Sequence, residues 1–406
     1  MKLKQLFTDQ NRQKIKDLAY NIGAILLLNV TIQFVLYPYI QRRIGNEAYG
    51  VALSLLSLVT ITANTIGTAA NYSRLVNERG LSPANGDYNL FLLVAGLLSA
   101  GIGTAYLWSL DLLTPMHVAV YSLLILATAF RYYSDVGYKL SGNFLYYFLF
   151  YSAIALGYLA GLVVYHLTDH WMTAILTGEI FGILFSVFAS SIYRRAFRPS
   201  RVFGTVLKSL LYLTLSTLLE NLTMNADRLV LMALAGGEAV SIYYTASLFG
   251  KVAALLTVPL NALIISYLIH YDKPLTRPMW ALFTGVGAVL GVLILGGCLL
   301  GSYLILPYLY PDLFALSRPY FLEAITAQVF YFVSSVLLVV LLRFRGEKKQ
   351  FYFNLLFGVE FFVLVVIGTL RTGLEGFVTL SLIAMAIRFV LVSVWGFLPE
   401  RAPKEK

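Results

Sequence analysis

Two carboxylates and an arginine stand in an otherwise apolar stretch near the middle of the chain, "LLENLTMNADRLVLMALAGGEA". The charged residues are Glu220, Asp227 and Arg228. A carboxylate in apolar surroundings can take up a proton or hold a cation, whereas a guanidinium binds phosphate or carboxylate groups through paired N–H donors. These residue types indicate ion binding, proton exchange or recognition of an anion.

The composition places this stretch in a membrane protein. Hydrophobic residues make up 59% of the 406 residues and charged residues only 12%, whereas soluble domains are about 25% charged. A helix that crosses a bilayer needs roughly 20 predominantly apolar residues, and such runs recur along the whole chain. The sequence therefore predicts an all-α polytopic membrane protein.

The apolar runs between polar breaks predict twelve transmembrane helices. They cover residues 18–41, 47–71, 88–110, 116–136, 143–167, 171–193, 205–233, 239–268, 279–306, 319–342, 351–370 and 375–398. The connecting loops are too short to hold a folded domain outside the membrane. We therefore expect function to reside in the helices themselves.

The polar residues of the opening stretch share one broad face of a helix. This face comprises Ser216, Thr217, Glu220, Asn221, Thr223, Asn225, Asp227 and Arg228, together with the apolar Met224. Because a charge near the bilayer centre costs about 2.5–3.5 kcal/mol even on the mild insertion scale, the face must turn toward a cavity or toward other helices. Neighbouring residues on a helix do not face each other, so Asp227 and Arg228 are expected to have separate partners.

Other polar residues within the predicted spans extend this interior. They are Asn29, Gln33, Arg131, Glu179, Lys251, Glu323, Gln328, Glu360 and Arg388. Lys251 lies far from both ends of its span, whereas Arg131 lies near an inner end, where snorkelling explains it equally well. A structural pair explains Glu360 and Arg388 as well as a functional role does. Together these residues predict a substrate pathway of net cationic character.

A basic stretch, "YRRAFRPSR", divides the predicted spans into six and six. A shift of 191 positions lays "GGEAVSI" on "GNEAYGV", each at the outer turn after the first span of its half. The pattern favours a parallel repeat of two six-helix lobes, with the substrate between them and transport by rocking of the lobes. The predicted segments are the cytoplasmic N-terminal residues 1–17, the lobes 18–196 and 205–398, the basic linker 197–204 and the tail 399–406.

The distribution of basic residues predicts the orientation. With a cytoplasmic N-terminus, 21 Lys and Arg residues fall in inner segments and four in outer ones. This asymmetry follows the positive-inside rule. Both termini are therefore expected in the cytoplasm of a multi-pass cell-membrane protein, and the formal net charge of +10 reflects topology rather than binding to nucleic acid.

Two longer segments carry a resemblance to a known family. They are "RRIGNEAYGVALSLLSL" after the first helix and "NADRLVLMALAGGEAVSIYYTASLFGKV" in the second half. With them the chain resembles the polysaccharide flippases of the multidrug/oligosaccharidyl-lipid/polysaccharide exporter superfamily. The resemblance implies two lobes around a central cavity and transfer of undecaprenyl-pyrophosphate-linked oligosaccharide from the inner to the outer leaflet. It matches Asp227 and Arg228 to the acidic–basic pair of the seventh helix, and Gly45, Glu47, Tyr49 and Gly50 to the turn after the first.

The site predictions follow from the residues and this resemblance together. Substrate binding is assigned to Arg228, Lys251, Arg388, Arg131, Asn29, Gln33 and Asn221, and ion coupling to Asp227, Glu220 and Glu360. The expected partners are the undecaprenyl-linked oligosaccharide, membrane lipid, a polysaccharide polymerase and glycosyltransferases. The sequence has no phosphate-binding or dinucleotide glycine motif, and His166 and His170 lack a third metal ligand. No cofactor is expected, which leaves a cation or a proton as the coupling ion.

Two other functions stay open at this point. A multidrug or small-cation exporter of the same superfamily requires an anionic pocket, which Arg228, Lys251 and Arg388 disfavour. A membrane-embedded glycan polymerase or ligase requires catalytic residues on a long outer loop, which the sequence does not contain. The chain is therefore predicted to be a transporter and not an enzyme.

The predicted orientation is tested by cysteine labelling from outside the cell, after Cys298 has been replaced by serine. A cysteine at Ser200 should be protected from an impermeant reagent, and a cysteine at Gly237 should react. The reverse pattern would reject the predicted topology.

Overall fold

The computed structural model describes residues 9–194, 197–254, 274–345 and 347–398, with isolated positions between 257 and 268. The first eight residues of the predicted N-terminal segment, the predicted tail 399–406 and the side chain of Glu220 lie outside this description. Throughout the described residues, every regular element is a helix. The predicted all-α class is confirmed for this part of the chain.

The chain forms two compact units, the first comprising Met1–Arg43 and Leu55–Asn225. Seven helices lie within it: α1 (Asp9–Val30), α3 (Thr65–Leu81), α4 (Asn85–Ser109), α5 (Pro115–Ser134), α6 (Val136–Ser141), α7 (Phe144–Thr168) and α8 (Trp171–Ala189). Helix α2 (Tyr37–Val59) is joined to α1 and α3 by π-helical segments, Thr31–Leu36 and Thr60–Asn64. Helix α9 (Phe203–Ala254) begins in the first unit and continues into the second.

The second unit comprises Ile44–Ser54 and Ala226–Lys406. Its described helices after α9 are α10 (Arg277–Leu309), α11 (Pro311–Ser317), α12 (Phe321–Arg345), α13 (Glu347–Thr372) and α14 (Leu374–Phe397). The N-terminus of α10 is capped by Thr276, whose hydroxyl accepts a hydrogen bond from the Met279 N–H at 3.4 Å. Such a cap satisfies a donor that the helix itself leaves unpaired.

Two glycines interrupt the longest helices at equivalent places. Gly45 breaks α2 with φ 80° and ψ 173°, and Gly236 breaks α9 with φ 85° and ψ 176°. This backbone region is essentially restricted to glycine. The predicted turns therefore lie at the expected glycines, 191 residues apart. The matching geometry agrees with the predicted repeat, although the repeat and its lobe boundaries stay predictions.

The segment after Gly45 packs on the segment after Gly236 within the second unit. The Glu47 carboxylate accepts hydrogen bonds from the N–H groups of Gly237, at 3.0 Å, and Glu238, at 2.7 Å. These N–H groups open a helix, so the carboxylate both caps the helix and meets the positive end of its dipole. The Ser241 hydroxyl donates to the Asn46 carbonyl at 2.5 Å.

This packing is too close for a side chain at Gly237. A Cβ there would lie 2.4 Å from the Glu47 carbonyl oxygen. The neighbouring Glu238 is exposed, and it is the better position for the outer labelling cysteine.

The predicted linker is fastened to the first unit. The Asp87 carboxylate accepts hydrogen bonds from the Ser200 N–H at 2.6 Å and the Ser200 hydroxyl at 2.7 Å. Just before the linker, the carbonyls of Ser191 and Arg194 accept hydrogen bonds from the Asn85 amide, both at 2.8 Å. Because the Ser200 side chain is engaged, the exposed Pro199 is the better inner position for labelling.

In the described part of the chain, nine helical stretches are long and apolar enough to cross a membrane. One of them, Lys16–Glu78, runs through the break at Gly45 and contains two predicted spans. Another predicted span begins with the shorter apolar helix Phe203–Leu219. A multi-pass membrane protein is supported, while the count of twelve and the orientation stay predictions.

Candidate functional site

A buried ion pair occupies the interior of the first unit. Arg131 on α5 donates through Nε to Oε2 of Glu179 on α8 at 2.6 Å, and through Nη2 to Oε1 at 3.1 Å. The Tyr158 hydroxyl of α7 donates to the same carboxylate at 2.7 Å. The side chains of Arg131 and Glu179 are 5% and 2% exposed. The structure thus pairs Arg131 with a residue that the sequence analysis named only as a separate polar group.

A second cluster in the first unit contains a carboxylate that the sequence analysis missed. Asp135 accepts hydrogen bonds from the Tyr151 hydroxyl at 3.1 Å and from the Asn71 amide, and Lys139 Nζ lies 2.9 Å from its Oδ1. Burial lowers the pKa of Lys139, but the Asp135 carboxylate together with Tyr147 and Tyr72 raises it above its ordinary value. The i,i+4 spacing of Asp135 and Lys139 was the available sequence signal.

The predicted site residue Asn221 holds the first part of α9 in the first unit. Its amide donates to the Thr65 hydroxyl at 2.9 Å, and its side-chain oxygen accepts from Asn64 at 3.5 Å. Thr217, one turn earlier, donates to the Thr65 carbonyl at 3.3 Å. The predicted polar face is turned inward at Thr217, which is 6% exposed while Leu222 is 40% exposed. Ser216 and Met224 of the same predicted face are exposed.

Two further predicted residues lie near the π-helical segment that follows α1. Asn29 is half-buried and donates to the Ile25 carbonyl of its own helix at 2.8 Å. Gln33 is half-buried within Thr31–Leu36. A π-helical turn shifts the direction of the side chains that follow it and often occurs at functional sites.

The second unit contains the central charged pair. Lys251 donates through Nζ to Oδ2 of Asp227, and the Arg228 N–H donates to Oδ1 at 2.9 Å. The Asp227 residue is only 6% exposed. Since a carboxylate with these bonds is fixed in place, the pair ties the two parts of α9 together across the break at Gly236.

Arg228 has a different neighbour, as expected for adjacent helical residues. Its guanidinium lies 5.1 Å from the centroid of the Tyr244 ring, and Lys251 Nζ lies 5.5 Å from the Tyr243 ring. The Tyr244 ring in turn meets Tyr49 edge-on at 6.1 Å. Tyr49 therefore connects the "GNEAYG" motif to the charged residues through aromatic contact.

Arg388 on α14 is buried and has no acidic partner among the described residues. It is 4% exposed, and its guanidinium lies 4.4 Å from the Tyr331 ring and 4.6 Å from the Phe357 ring. Its Nε and Nη1 atoms make no hydrogen bond to the described residues. The alternative of a Glu360–Arg388 pair is not found within the described chain, where the ion pairs involve other residues.

Tyr243, whose ring lies beside Lys251, also contacts α14, the helix that carries Arg388. Tyr243 meets Phe377 edge-on at 4.8 Å. Ser381 and Arg388 are seven residues apart and so share a helix face, separated by about 10 Å. We call Asp227, Arg228, Lys251 and Arg388 the cationic seam.

The cationic seam has the charge and the donors for an anionic ligand. It contains three cationic side chains and one carboxylate. Electrostatic attraction is stronger in a buried site than in water. Arginine binds phosphate oxygens through two parallel N–H groups, and lysine acts as a point charge.

No family model and no curated protein matches the sequence. Solved structures do match. The lipid II flippase MurJ in an inward closed conformation has a TM-score of 0.72 at 14% identity, covering 92% of this chain and 86% of that one. An inward-facing multidrug resistance MATE transporter of the MOP superfamily has a TM-score of 0.67 at 12% identity, covering 94% and 93%.

A third similar structure is a MOP superfamily transporter from Pyrococcus furiosus, with a TM-score of 0.61 at 14% identity and 94% of each chain covered. That protein is described as having a binding pocket of reversed polarity, which suggests a different function for it. At these identities the likeness establishes the fold. The chain has the fold of these MOP superfamily transporters.

The Arg131–Glu179 pair generates a stability prediction. Glu179→Gln should lower the thermal midpoint of the detergent-solubilised protein, because breaking a buried pair on one side costs about 3–5 kcal/mol. The double variant Arg131→Met with Glu179→Leu should recover most of the loss, since an apolar pair of similar volume leaves no buried charge. Fluorescence-detected size exclusion after heating measures both.

If the thermal midpoint of Glu179→Gln equals that of the wild-type protein, the pair has no structural role. A stable double variant that no longer transports substrate would instead place Arg131 in the substrate path, as the sequence analysis predicted.

Proposed function

We propose that this protein is a flippase that moves undecaprenyl-pyrophosphate-linked oligosaccharide from the inner to the outer leaflet for cell-surface polysaccharide export. The main observation that supports this proposal is the cationic seam. A lipid-linked sugar of this kind has an anionic pyrophosphate, a bulky polar sugar and a hydrocarbon tail. Its head group requires buried positive charge, and the seam offers three cations against one described carboxylate.

The pairing of Lys251 with Asp227 suggests how binding and release are coupled. A pyrophosphate competes with Asp227 for Lys251, and Asp227 then becomes available to a proton or a cation. When that ion leaves, Asp227 takes Lys251 back and the pyrophosphate loses a partner. Alternating access of a central cationic cavity to the two sides of the membrane turns this exchange into transport.

The remaining predicted residues have supporting roles in this proposal. The half-buried amides of Asn29, Gln33 and Asn221 suit sugar hydroxyls, because an amide both donates and accepts hydrogen bonds. Arg131 contributes only in a state in which Glu179 releases it. Glu220 and Glu360 stay candidates for the coupling ion beside Asp227.

The fold is shared with transporters of different substrates. MurJ is named a lipid II flippase, and the MATE structure is named a multidrug resistance transporter. The MATE likeness keeps a multidrug or small-cation exporter as the second candidate. Buried surplus positive charge repels cationic drugs, and it therefore favours the lipid-linked anion. A polysaccharide polymerase and glycosyltransferases are the partners that this function requires, and their genes should lie nearby.

Charge substitutions in the seam test the proposal by translocation of lipid-linked sugar in proteoliposomes. Arg228→Ala and Lys251→Ala should reduce transport at least about tenfold, the change that corresponds to a loss of about 1.4 kcal/mol. Lys251→Arg should retain more activity, whereas Arg228→Lys should lose it if a bidentate phosphate contact is required. Asp227→Asn should preserve substrate binding and remove the dependence on the ion gradient.

The exposed Arg371 provides the matched control, and Arg371→Ala should transport normally. Size exclusion of each detergent-solubilised variant separates a loss of transport from a loss of folded protein. Unimpaired transport by Arg228→Ala would remove that residue from the site, and unimpaired transport by both alanine variants would overturn the anionic head-group site.

A further inference from the structure

A small cavity lies within the first unit, between the start of α5 and the turn that joins α7 to α8. It has a volume of about 80 Å³, well below the roughly 300 Å³ or more of a pocket for a small organic molecule. Its walls include Met116, His117, Asp169, His170, Trp171 and Met172. Two imidazoles, two thioethers and a carboxylate therefore surround a space that suits a single ion.

The two imidazoles in this cavity lie side by side. The ring centroids of His117 and His170 are 5.8 Å apart, and the rings meet edge-on at 81°. With metal–nitrogen distances of about 2.0–2.1 Å, two imidazoles that ligate one ion have ring centroids at most about 6.4 Å apart. The observed separation lies within this limit. The structure thus gives His170 a neighbour from another helix, whereas the sequence pattern had placed it only with His166.

The hydrogen bond of His117 sets its ring in the state that a metal requires. His117 Nδ1 lies 3.0 Å from the Leu112 carbonyl oxygen. Because a carbonyl oxygen can only accept, Nδ1 donates, and the lone pair of the neutral ring is on Nε2. Histidines that ligate metals almost always donate their other ring N–H to a carbonyl, a carboxylate or water. This contact therefore orients a ligand as well as a turn.

The thioethers determine which metal fits. Met172 is 3% exposed and lies in the wall, whereas Met116 is 44% exposed and lies at the mouth. Thioether sulfur is a soft ligand that selects Cu(I), and imidazole also suits copper. In the described part of the chain, no group of three His, Cys, Asp or Glu side chains could hold a metal. A zinc site of the usual kind is therefore not formed here, and an ion that accepts thioether sulfur is favoured.

An anion is poorly matched to this cavity, although two helices begin beside it. The His117 N–H already donates to the Thr114 hydroxyl at 3.1 Å. The Asp169 carboxylate is part of the wall, and a second negative charge beside it would be repelled. The ligand is therefore expected to be a cation.

The charge of that cation is limited by the same two helices. His117 lies in the first turn of α5, and His170 is the N-cap residue of α8. The positive ends of the helix dipoles disfavour added positive charge, so a monovalent ion is easier to hold than a divalent one. The Asp169 carboxylate and the aromatic face of Trp171 can compensate a single charge.

We propose that this cavity binds one Cu(I) ion through His117, His170 and Met172, with Met116 at its mouth. The bound ion links the start of α5 to the turn between α7 and α8. Both segments are predicted to lie at the outer side of the membrane. The proposal does not depend on which substrate the protein transports.

Copper binding to the purified full chain in detergent tests the proposal. The protein carries no polyhistidine tag, and Cys298→Ser is the background because a thiol also binds Cu(I). A chromogenic Cu(I) chelator competes with the protein under anaerobic conditions with ascorbate. We expect one Cu(I) per chain to resist the chelator. Ag(I), a soft monovalent analogue, should raise the thermal midpoint, since an ion that binds only the folded protein stabilises it.

Substitutions in the cavity identify the ligands. His117→Ala and His170→Ala should each weaken Cu(I) binding at least about tenfold, the least that losing a mere supporting contact costs a metal site. Met172→Leu preserves the volume and should also weaken Cu(I) binding at least about tenfold, but it should leave the weaker Zn²⁺ binding unchanged. A residue that only packs would not separate the two metals. The controls His166→Ala and Met224→Leu replace exposed residues and should bind Cu(I) normally.

Three results would overturn the proposal. They are complete transfer of Cu(I) to the chelator, Cu(I) binding that persists in the double variant His117→Ala with His170→Ala, and equal affinities for Cu(I) and Zn²⁺ that Met172→Leu does not change. The last result would indicate a site that uses the histidines alone. Size exclusion shows whether each variant is folded, and His170→Gln replaces His170→Ala if the alanine variant is not. The response of the wild-type protein to Ag(I) does not depend on any variant.

Discussion

Surplus positive charge in the second unit is the physical constraint on which this account depends. A charge placed away from water is stable only where other groups compensate it. Asp227 compensates Lys251 directly, and Arg228 rests on the face of Tyr244. Arg388 has aromatic rings on its faces and two donors without a partner among the described residues. The first unit differs, because Glu179 matches Arg131 with two hydrogen bonds.

The two chain segments around Gly45 and Gly236 support these charged residues. Both glycines adopt backbone angles that other residues avoid, and the chain after each one packs closely on the other within the second unit. Glu47 fixes this packing through the N–H groups of Gly237 and Glu238. Tyr49 then reaches Tyr244, which lies over Arg228. A motif at the end of a helix thereby supports the residues of the seam.

Features that depend on local sequence pattern could be predicted from the sequence. Apolar runs predicted the helices, glycine predicted the breaks, and the polar face of α9 predicted the burial of Thr217 and Asp227. Pairings between distant positions were not predictable in the same way. Lys251 meets Asp227 from 24 residues away, and Arg131 meets Glu179 from 48 residues away, because packing and not spacing brings them together.

The most direct test of the proposed function is whether the purified protein binds an anionic lipid or a cationic small molecule. Equilibrium binding of undecaprenyl pyrophosphate and of the cation tetraphenylphosphonium to the purified wild-type protein can be compared in one detergent at several salt concentrations. We expect the protein to bind the pyrophosphate more tightly than undecaprenol. This binding should weaken with added salt and should not be displaced by tetraphenylphosphonium. Tight binding of tetraphenylphosphonium, with equal affinities for undecaprenol and its pyrophosphate, would contradict the proposed function.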